Sequence, residues 1–244
     1  VQHLLILGGT TEARELADTL AGLADWRVTT SLVGRTEAPI LPAGQARTGG
    51  FGGMEGLVAY LRAENVGAVI DATHPFAQQM TRQASEAAVR ANLPSLRLER
   101  PAWQLQPNDH WQCISDWCEV LPLLPSNARV FLAIGPGEAA AFKACEHVLF
   151  IVRTVDLPAR PLPLKHHKVI LGRGPFVLAD ELALFHEHRI THIVCKNSGG
   201  SGAYAKLEAA RQLSLPVIMK NRPPAVPNAV GSVEEAVQWL KQLP

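Results

Sequence analysis

A chain of 244 residues, 47% hydrophobic and 18% charged, is long and apolar enough to bury one large core or two ordinary ones, a composition that does not indicate disorder. Its 23 basic and 22 acidic residues leave a formal net charge of +1, which argues against a protein built to hold a strong polyanion such as nucleic acid. Four cysteines (Cys113, Cys118, Cys145 and Cys195) lack C-x-x-C spacing and metal-type histidine neighbours, so reduced thiols and no metal site are expected. No apolar run approaches the ~18 residues of a membrane span, and with a first strand beginning almost at residue 1 the expected location is the cytoplasm.

The chain opens on an apolar run, Leu4 to Leu7, that ends in Gly8-Gly9-Thr10-Thr11-Glu12-Ala13 and passes into a helical pattern with Leu16, Ala17 and Leu20 on one face. Strand, tight turn and helix in that order aim the unpaired first N–H groups of the helix at whatever lies before it, a geometry that suits a phosphate. The full G-x-G-x-x-G fingerprint is not met, because Thr10 and Ala13 occupy its second and third glycine positions. An ordinary strand-to-helix turn is therefore the competing reading.

Trp26 to Val33 reads as the second strand. In dinucleotide folds an acid at its end selects NAD, whereas an arginine accommodates the extra phosphate of NADP. Here Ser31 and Arg35 are available and no acid ends the strand, which favours NADP unless Arg35 is only a solvated loop residue. Residues 36–53 form a Gly- and Pro-rich loop closing in Gly49-Gly50-Phe51-Gly52-Gly53, either backbone pressed against a ligand or a flexible connector. After a helix bearing Leu57, Val58 and Leu61 comes the short buried strand Ala68 to Ile70, followed by Asp71-Ala72-Thr73-His74-Pro75-Phe76-Ala77. A loop at the carboxyl end of a parallel strand is where open α/β sheets bind ligands, so Thr73 and His74 are candidates, with local helix-entry bonding as the alternative for His74.

A helix from about Phe76 to Arg90 and a strand from Leu93 to Leu98 complete a first doubly wound domain over residues 1–100. Residues 101–127, with Trp103, Trp111 and Trp117 among several prolines, read as a connecting segment. A second alternating region, 128–244, begins with a strand over Val130 to Ile134 and the turn Gly135-Pro136-Gly137-Glu138, a loose echo of the opening turn. Two features in it suggest chemistry. The loop Lys196-Asn197-Ser198-Gly199-Gly200-Ser201-Gly202 gathers a cation, hydroxyls and glycines after a buried strand. The stretch from Arg153 to Arg173 holds Arg160, Lys165, Lys168 and two histidines against the single acid Asp156, either a ligand-holding surface or a solvated face.

Taken together, Gly8 to Ala13, Gly34-Arg35, Gly49 to Gly53, Asp71 to Ala77, Leu171-Gly172-Arg173-Gly174-Pro175-Phe176 and Lys196 to Gly200 resemble the precorrin-6A reductase family of cobalamin biosynthesis, over essentially the whole chain. The resemblance implies an α/β protein of two Rossmann-like domains with mostly parallel sheets and a cofactor cleft between them. It also implies a reaction in which reduced nicotinamide dinucleotide delivers hydride to the precorrin-6A macrocycle, giving precorrin-6B. With Arg35 the expected cofactor is NADPH; the anaerobic branch acting on cobalt-precorrin-6A and a non-catalytic nucleotide- or tetrapyrrole-binding module are the alternatives. On this reading Gly8, Gly9, Thr10, Thr11, Glu12, Ser31, Arg35, Gly50, Thr73 and His74 are the expected cofactor contacts. Arg173, Lys196, Ser198, Gly199 and Gly200 are the expected substrate contacts, meeting a polycarboxylate with cations and N–H groups. His74 and Lys196 are the candidates for orienting the reactants or donating a proton. The partners implied are the tetrapyrrole and transient contacts with neighbouring pathway enzymes, with neither nucleic acid nor membrane. A short-chain carbonyl reductase would need Tyr-x-x-x-Lys, and neither Tyr60 nor Tyr204 has a lysine four residues on.

Overall fold

The computed structural model describes residues 2–22, 25–34 and 40–243, which excludes Arg35. The chain runs β1 (Gln2–Leu7), α1 (Thr11–Leu20), β2 (Trp26–Leu32), β3 (Gln45–Thr48), α2 (Gly53–Ala63), β4 (Val66–Asp71), α3 (Gln78–Ala91) and β5 (Ser95–Leu98). It continues through β6 (Trp111–Ile114), β7 (Arg129–Ala133), β8 (Leu149–Thr154), β9 (His167–Leu171), α4 (Leu178–Glu187), β10 (His192–Lys196), α5 (Ala205–Gln212) and β11 (Val217–Lys220), with 3-10 helices at Trp117–Leu123 and Pro136–Phe142. β12 (Ala229–Val230) and α6 (Val233–Lys241) close it. No described helix is long and apolar enough to cross a membrane.

Two compact units result, one of Val1–Pro101 with Pro223–Pro244 and one of Ala102–Arg222. The first holds a six-stranded sheet in the order β12-β5-β4-β1-β2-β3 and the second a six-stranded sheet in the order β6-β11-β10-β7-β8-β9, every pair parallel. Both are Rossmann-like, as expected: β1–β5 and β7–β11 each start at a central strand, step outward twice, return, and step outward the other way, while β12 and β6 complete the edges. Strands covered on both faces read as continuous apolar runs, and β1 shows why. Leu4 and Ile6 pack with Leu16 and Leu20 of α1 and with Ala236 and Leu240 of α6, while Leu5 and Leu7 pack with Leu57 and Leu61 of α2 and Ala84 and Ala87 of α3.

The unit boundaries differ from the 1–100, 101–127 and 128–244 division read from the sequence. In each sheet the strand that completes the far edge comes from beyond the alternating run. Ala229 and Val230 pair with Arg97 and Leu98 of β5, so the C-terminal segment belongs to the first unit. Residues 111–114, read as part of a connector, pair with 217–220 of β11 and belong to the second sheet. Unpaired edge groups and the apolar side of α6 find partners there, and composition alone does not say which edge they will choose. The strand β3 was hidden in the glycine-rich loop because Gln45-Ala46-Arg47-Thr48 is an edge strand without apolar alternation. The turn after β7 continues as a 3-10 helix rather than an α-helix, with Pro136 at its start.

Helix α6 starts with a reciprocal capping box: the Ser232 hydroxyl accepts from Glu235 N, and the Glu235 carboxylate accepts from Ser232 N. If α6 is part of the first unit's core rather than a terminal appendage, Leu240→Ala should cost about 2–5 kcal/mol, as buried leucine deletions do. Urea denaturation measures this, and a loss near zero would mean the helix does not contribute to that core.

Candidate functional site

In the first sheet the strand order reverses between the neighbours β1 and β4, since β2 and β3 lie beyond β1 and β5 beyond β4. Open α/β sheets bind ligands at such a switch point. Two loops meet there, Gly8-Gly9-Thr10 after β1 and Ala72-Thr73-His74 after β4, and the Thr10 hydroxyl joins them by donating to the Ala72 carbonyl at 2.7 Å. The same oxygen caps α1 by accepting from Ala13 N at 3.1 Å, so one side chain fixes both the helix start and the neighbouring loop.

The two glycines have separate reasons. A Cβ on Gly8 would stand 2.8 Å from Thr30 Cγ2 and 3.3 Å from Leu32 Cδ2, so the turn lies flush on β2 only without a side chain. Gly9 has φ +107° and would find nothing within 4 Å of a Cβ, which leaves open space in front of the helix. Among the described residues the N–H groups of Thr11 and Glu12 find no acceptor. The turn therefore fits a phosphate group: free donors, helix dipole and room for close approach coincide. The Glu12 carboxylate is drawn aside by Arg100 at 2.6 Å, so it opposes an anion less than the sequence suggests.

The other predicted residues of this unit divide by how they are engaged. Ser31, buried at the end of β2, accepts from Arg47 Nη1 at 2.7 Å, and Gly50 contributes its carbonyl to the same arginine at 3.1 Å. Thr73 is committed within the protein: its hydroxyl donates to Asp71 Oδ1 at 2.7 Å and accepts from Arg97 Nη1 at 3.1 Å. His74 is half-buried, and the Phe76 N–H donates to its Nδ1 at 3.2 Å, which puts the proton of a neutral ring on Nε2. Arg97, 4% exposed, lies between Asp71 Oδ2 at 2.9 Å and Glu99 Oε2 at 2.9 Å. Arg97, Asp71 and Glu99 line a groove of about 760 Å³ between α3, β4, β5 and the segment Pro223–Asn228. The Gly8–Thr10 turn does not line it, and its buried arginine is balanced by two carboxylates, a poor setting for a polycarboxylate ligand. The Leu96-Arg97-Leu98 triplet, an arginine inside a buried strand, was the sequence signal for this cluster.

The second sheet has its own switch point, between β7 and β10, and it is filled by protein. Lys196, at the end of β10, forms an ion pair with Glu138 in the 3-10 helix after β7, and Glu138 also accepts from Trp117 Nε1 at 3.0 Å. Pro136 removes one N–H from that helix start. The loop after Lys196 is pinned by its carbonyls: Arg222 donates to Asn197 O at 2.8 Å and Ser198 O at 2.9 Å, and Trp103 Nε1 donates to Gly200 O at 2.7 Å. The Asn197 side chain bonds both the N–H and the carbonyl of Trp103. Gly199 and Gly200, at φ +67° and +69°, make the reversal. Burial pushes the Cys195 thiol beneath this loop up to about 11, so it stays protonated.

The basic run is less cationic than it reads. Arg153 pairs with buried Glu181, Lys165 with Glu146 at 2.8 Å, and Lys168 approaches Glu187 at 3.9 Å, acids that lie outside the run in sequence. Arg173 is exposed and makes no ion pair among the described residues.

The fold and its first switch point define a class: paired Rossmann-like units, one of them carrying a nucleotide-phosphate type of turn. Residues 3–241 match the family model described as Precorrin-6x reductase CbiJ/CobK, and the chain belongs to that family. It is 46% identical over 244 residues to a precorrin-6A reductase of Rhodococcus erythropolis, covering 99% of this chain and 98% of the relative. It is 30% identical to a cobalt-precorrin-6A reductase of Priestia megaterium, covering 96% of each. A solved structure titled CobK precorrin-6A reductase superposes with a TM-score of 0.94 at 43% identity, over 99% of this chain and 96% of that one.

The Arg97 cluster carries its own prediction. Arg97→Met would leave Asp71 and Glu99 without their shared cation, and an uncompensated buried charge costs about 3–5 kcal/mol. Thermal and urea denaturation should show that loss, and an unchanged stability would mean the carboxylates are solvated rather than buried.

Proposed function

We propose that this chain reduces precorrin-6A to precorrin-6B in cobalamin biosynthesis with NADPH as the electron donor. The observation that carries the reading is the open glycine turn at the first unit's switch point, in a chain of this family. The higher identity to the precorrin-6A reductase than to the cobalt-precorrin enzyme, 46% against 30%, supports the metal-free macrocycle as substrate. The cofactor's phosphates would take the N–H groups after Gly9, and its adenosine would lie toward Ser31, Gly50 and Arg35, the last outside the described residues. A reduced nicotinamide, when bound, supplies the hydride.

The protein's own part is to position and to balance charge. Thr10 holds the phosphate turn to the Ala72 loop, so the next residues, Thr73 and His74, are fixed relative to it. His74, held by the Phe76 N–H at its Nδ1, is assigned to orienting a carboxamide or meeting charge that develops on the macrocycle. In the second unit Lys196, Arg173 and the Ser198-Gly199-Gly200 turn are assigned to the substrate's carboxylates. Lys196 is already oriented by Glu138, so a carboxylate arriving there would share its charge rather than meet a bare cation.

Thr10→Glu should abolish NADPH binding by placing a carboxylate beside the phosphate site, while Thr10→Ser keeps the cap and the affinity. Fluorescence titration distinguishes them, and unchanged affinity in the Glu variant would rule out the turn as the phosphate site. For the substrate, Lys196→Ala and Arg173→Ala should raise KM for precorrin-6A and lower turnover while leaving NADPH affinity intact. A contact worth about 1.5–3 kcal/mol at Lys196 predicts a ten- to hundredfold loss in kcat/KM, with a smaller loss at exposed, salt-screened Arg173. Steady-state kinetics with parental values for both variants would remove these residues from the substrate site.

A further inference from the structure

Arg47 is the next-to-last residue of β3, beside the end of β2, and its Cα is the register partner of Ser31. Its Nη1 donates to Ser31 Oγ at 2.7 Å and to Gly49 O at 3.1 Å, and its Nη2 donates to Gly50 O at 3.1 Å. The guanidinium lies 3.9 Å over the Phe51 ring and 5.1 Å from the Tyr60 ring. Three acceptors and two aromatic faces therefore hold a half-buried fork in one orientation. Every one of those partners is neutral, and among the described residues no carboxylate pairs with it. Of its five N–H groups, Nε–H and one on Nη2 have no acceptor among the described residues.

A partly desolvated guanidinium with neutral neighbours favours an anion, and its planar fork suits a phosphate or carboxylate. The second unit shows the contrast. At the same corner of its sheet, where β8 and β9 end, the Arg153 guanidinium also lies over aromatic rings, 3.5 Å from Phe176 and 4.7 Å from Phe131. There the charge is answered from within by buried Glu181. The first unit has built the same kind of aromatic seat and left its anion out.

We propose that Arg47 is the specificity-determining residue for the cofactor: its fork receives the 2′-phosphate on the adenosine ribose, with Ser31 and Phe51 holding it in place. This rests on the dinucleotide reading of the first unit. It commits the 2′-phosphate contact to a residue anchored on the sheet.

The test compares ligands that differ only in that phosphate, 2′,5′-ADP against 5′-AMP and NADPH against NADH, by calorimetric titration of the full chain. Arg47→Gln should weaken 2′,5′-ADP and NADPH by about ten- to a hundredfold, the range of a lost charge-assisted contact, and leave 5′-AMP and NADH within about twofold. Arg47→Lys should fall between, because it keeps the charge and loses the fork, and Ser31→Ala should shift NADPH in the same direction by less. These two also read the contact should the Gln variant fail to fold. Equal losses for ligands with and without the phosphate would make Arg47 structural, and no loss would exclude it; either overturns the proposal while the dinucleotide site stands. A parent protein that binds neither NADPH nor NADH would overturn both.

Discussion

The hydrogen bond from the Thr10 hydroxyl to the Ala72 carbonyl, 2.7 Å long, spans the gap that the first sheet leaves between β1 and β4. Strands that diverge to opposite sides cannot share a crossover, so this gap follows from topology. What topology does not supply is a fixed distance between the two loops. Thr10 supplies it with an oxygen that also caps α1, so the free N–H groups, the glycine opening and His74 all take their positions from one side chain. Alanine there would lose the cap and the tie together.

The two units repeat one strand order and use its gap differently. In the second, an acid stands in the first turn after β7 and a lysine ends β10, and the two meet. Carboxylate and ammonium thus fill the place where the first unit offers bare N–H groups. The two aromatic-lined corners follow the same division, since Arg153 finds Glu181 whereas among the described residues the partners of Arg47 are all neutral. In this doubled fold the second unit places an internal ion pair where the first has a glycine turn.

Charge in this protein is organised by contacts distant in sequence. Arg97 is balanced by Asp71, 26 positions away, and Arg153 by Glu181, 28 positions away, so cations that seem available in the chain are consumed inside the units. In a near-neutral protein it is position rather than composition that decides where positive charge stays unbalanced.

Much of this was legible in the sequence. Apolar runs of strand length followed by 3.6-period helices dictate parallel α/β units, because an apolar run needs cover on both faces. Gly8 to Ala13, Asp71 to Ala77 and Lys196 to Gly202 announce themselves as strand-end loops by glycine and hydroxyl content, and the ordered set of motifs carried the family. Other features required the folded chain. β3 has no apolar alternation, so only pairing with β2 reveals it, and with it Arg47. The exchange of β6 and β12 to sheets outside their neighbouring runs depends on which edge has free hydrogen-bonding groups, a long-range property. The pairing of Lys196 with Glu138 and of Glu12 with Arg100 joins residues 58 and 88 positions apart. Local sequence sets which groups are available and which backbone they stand on; only tertiary packing decides which charges meet each other and which are left for a ligand.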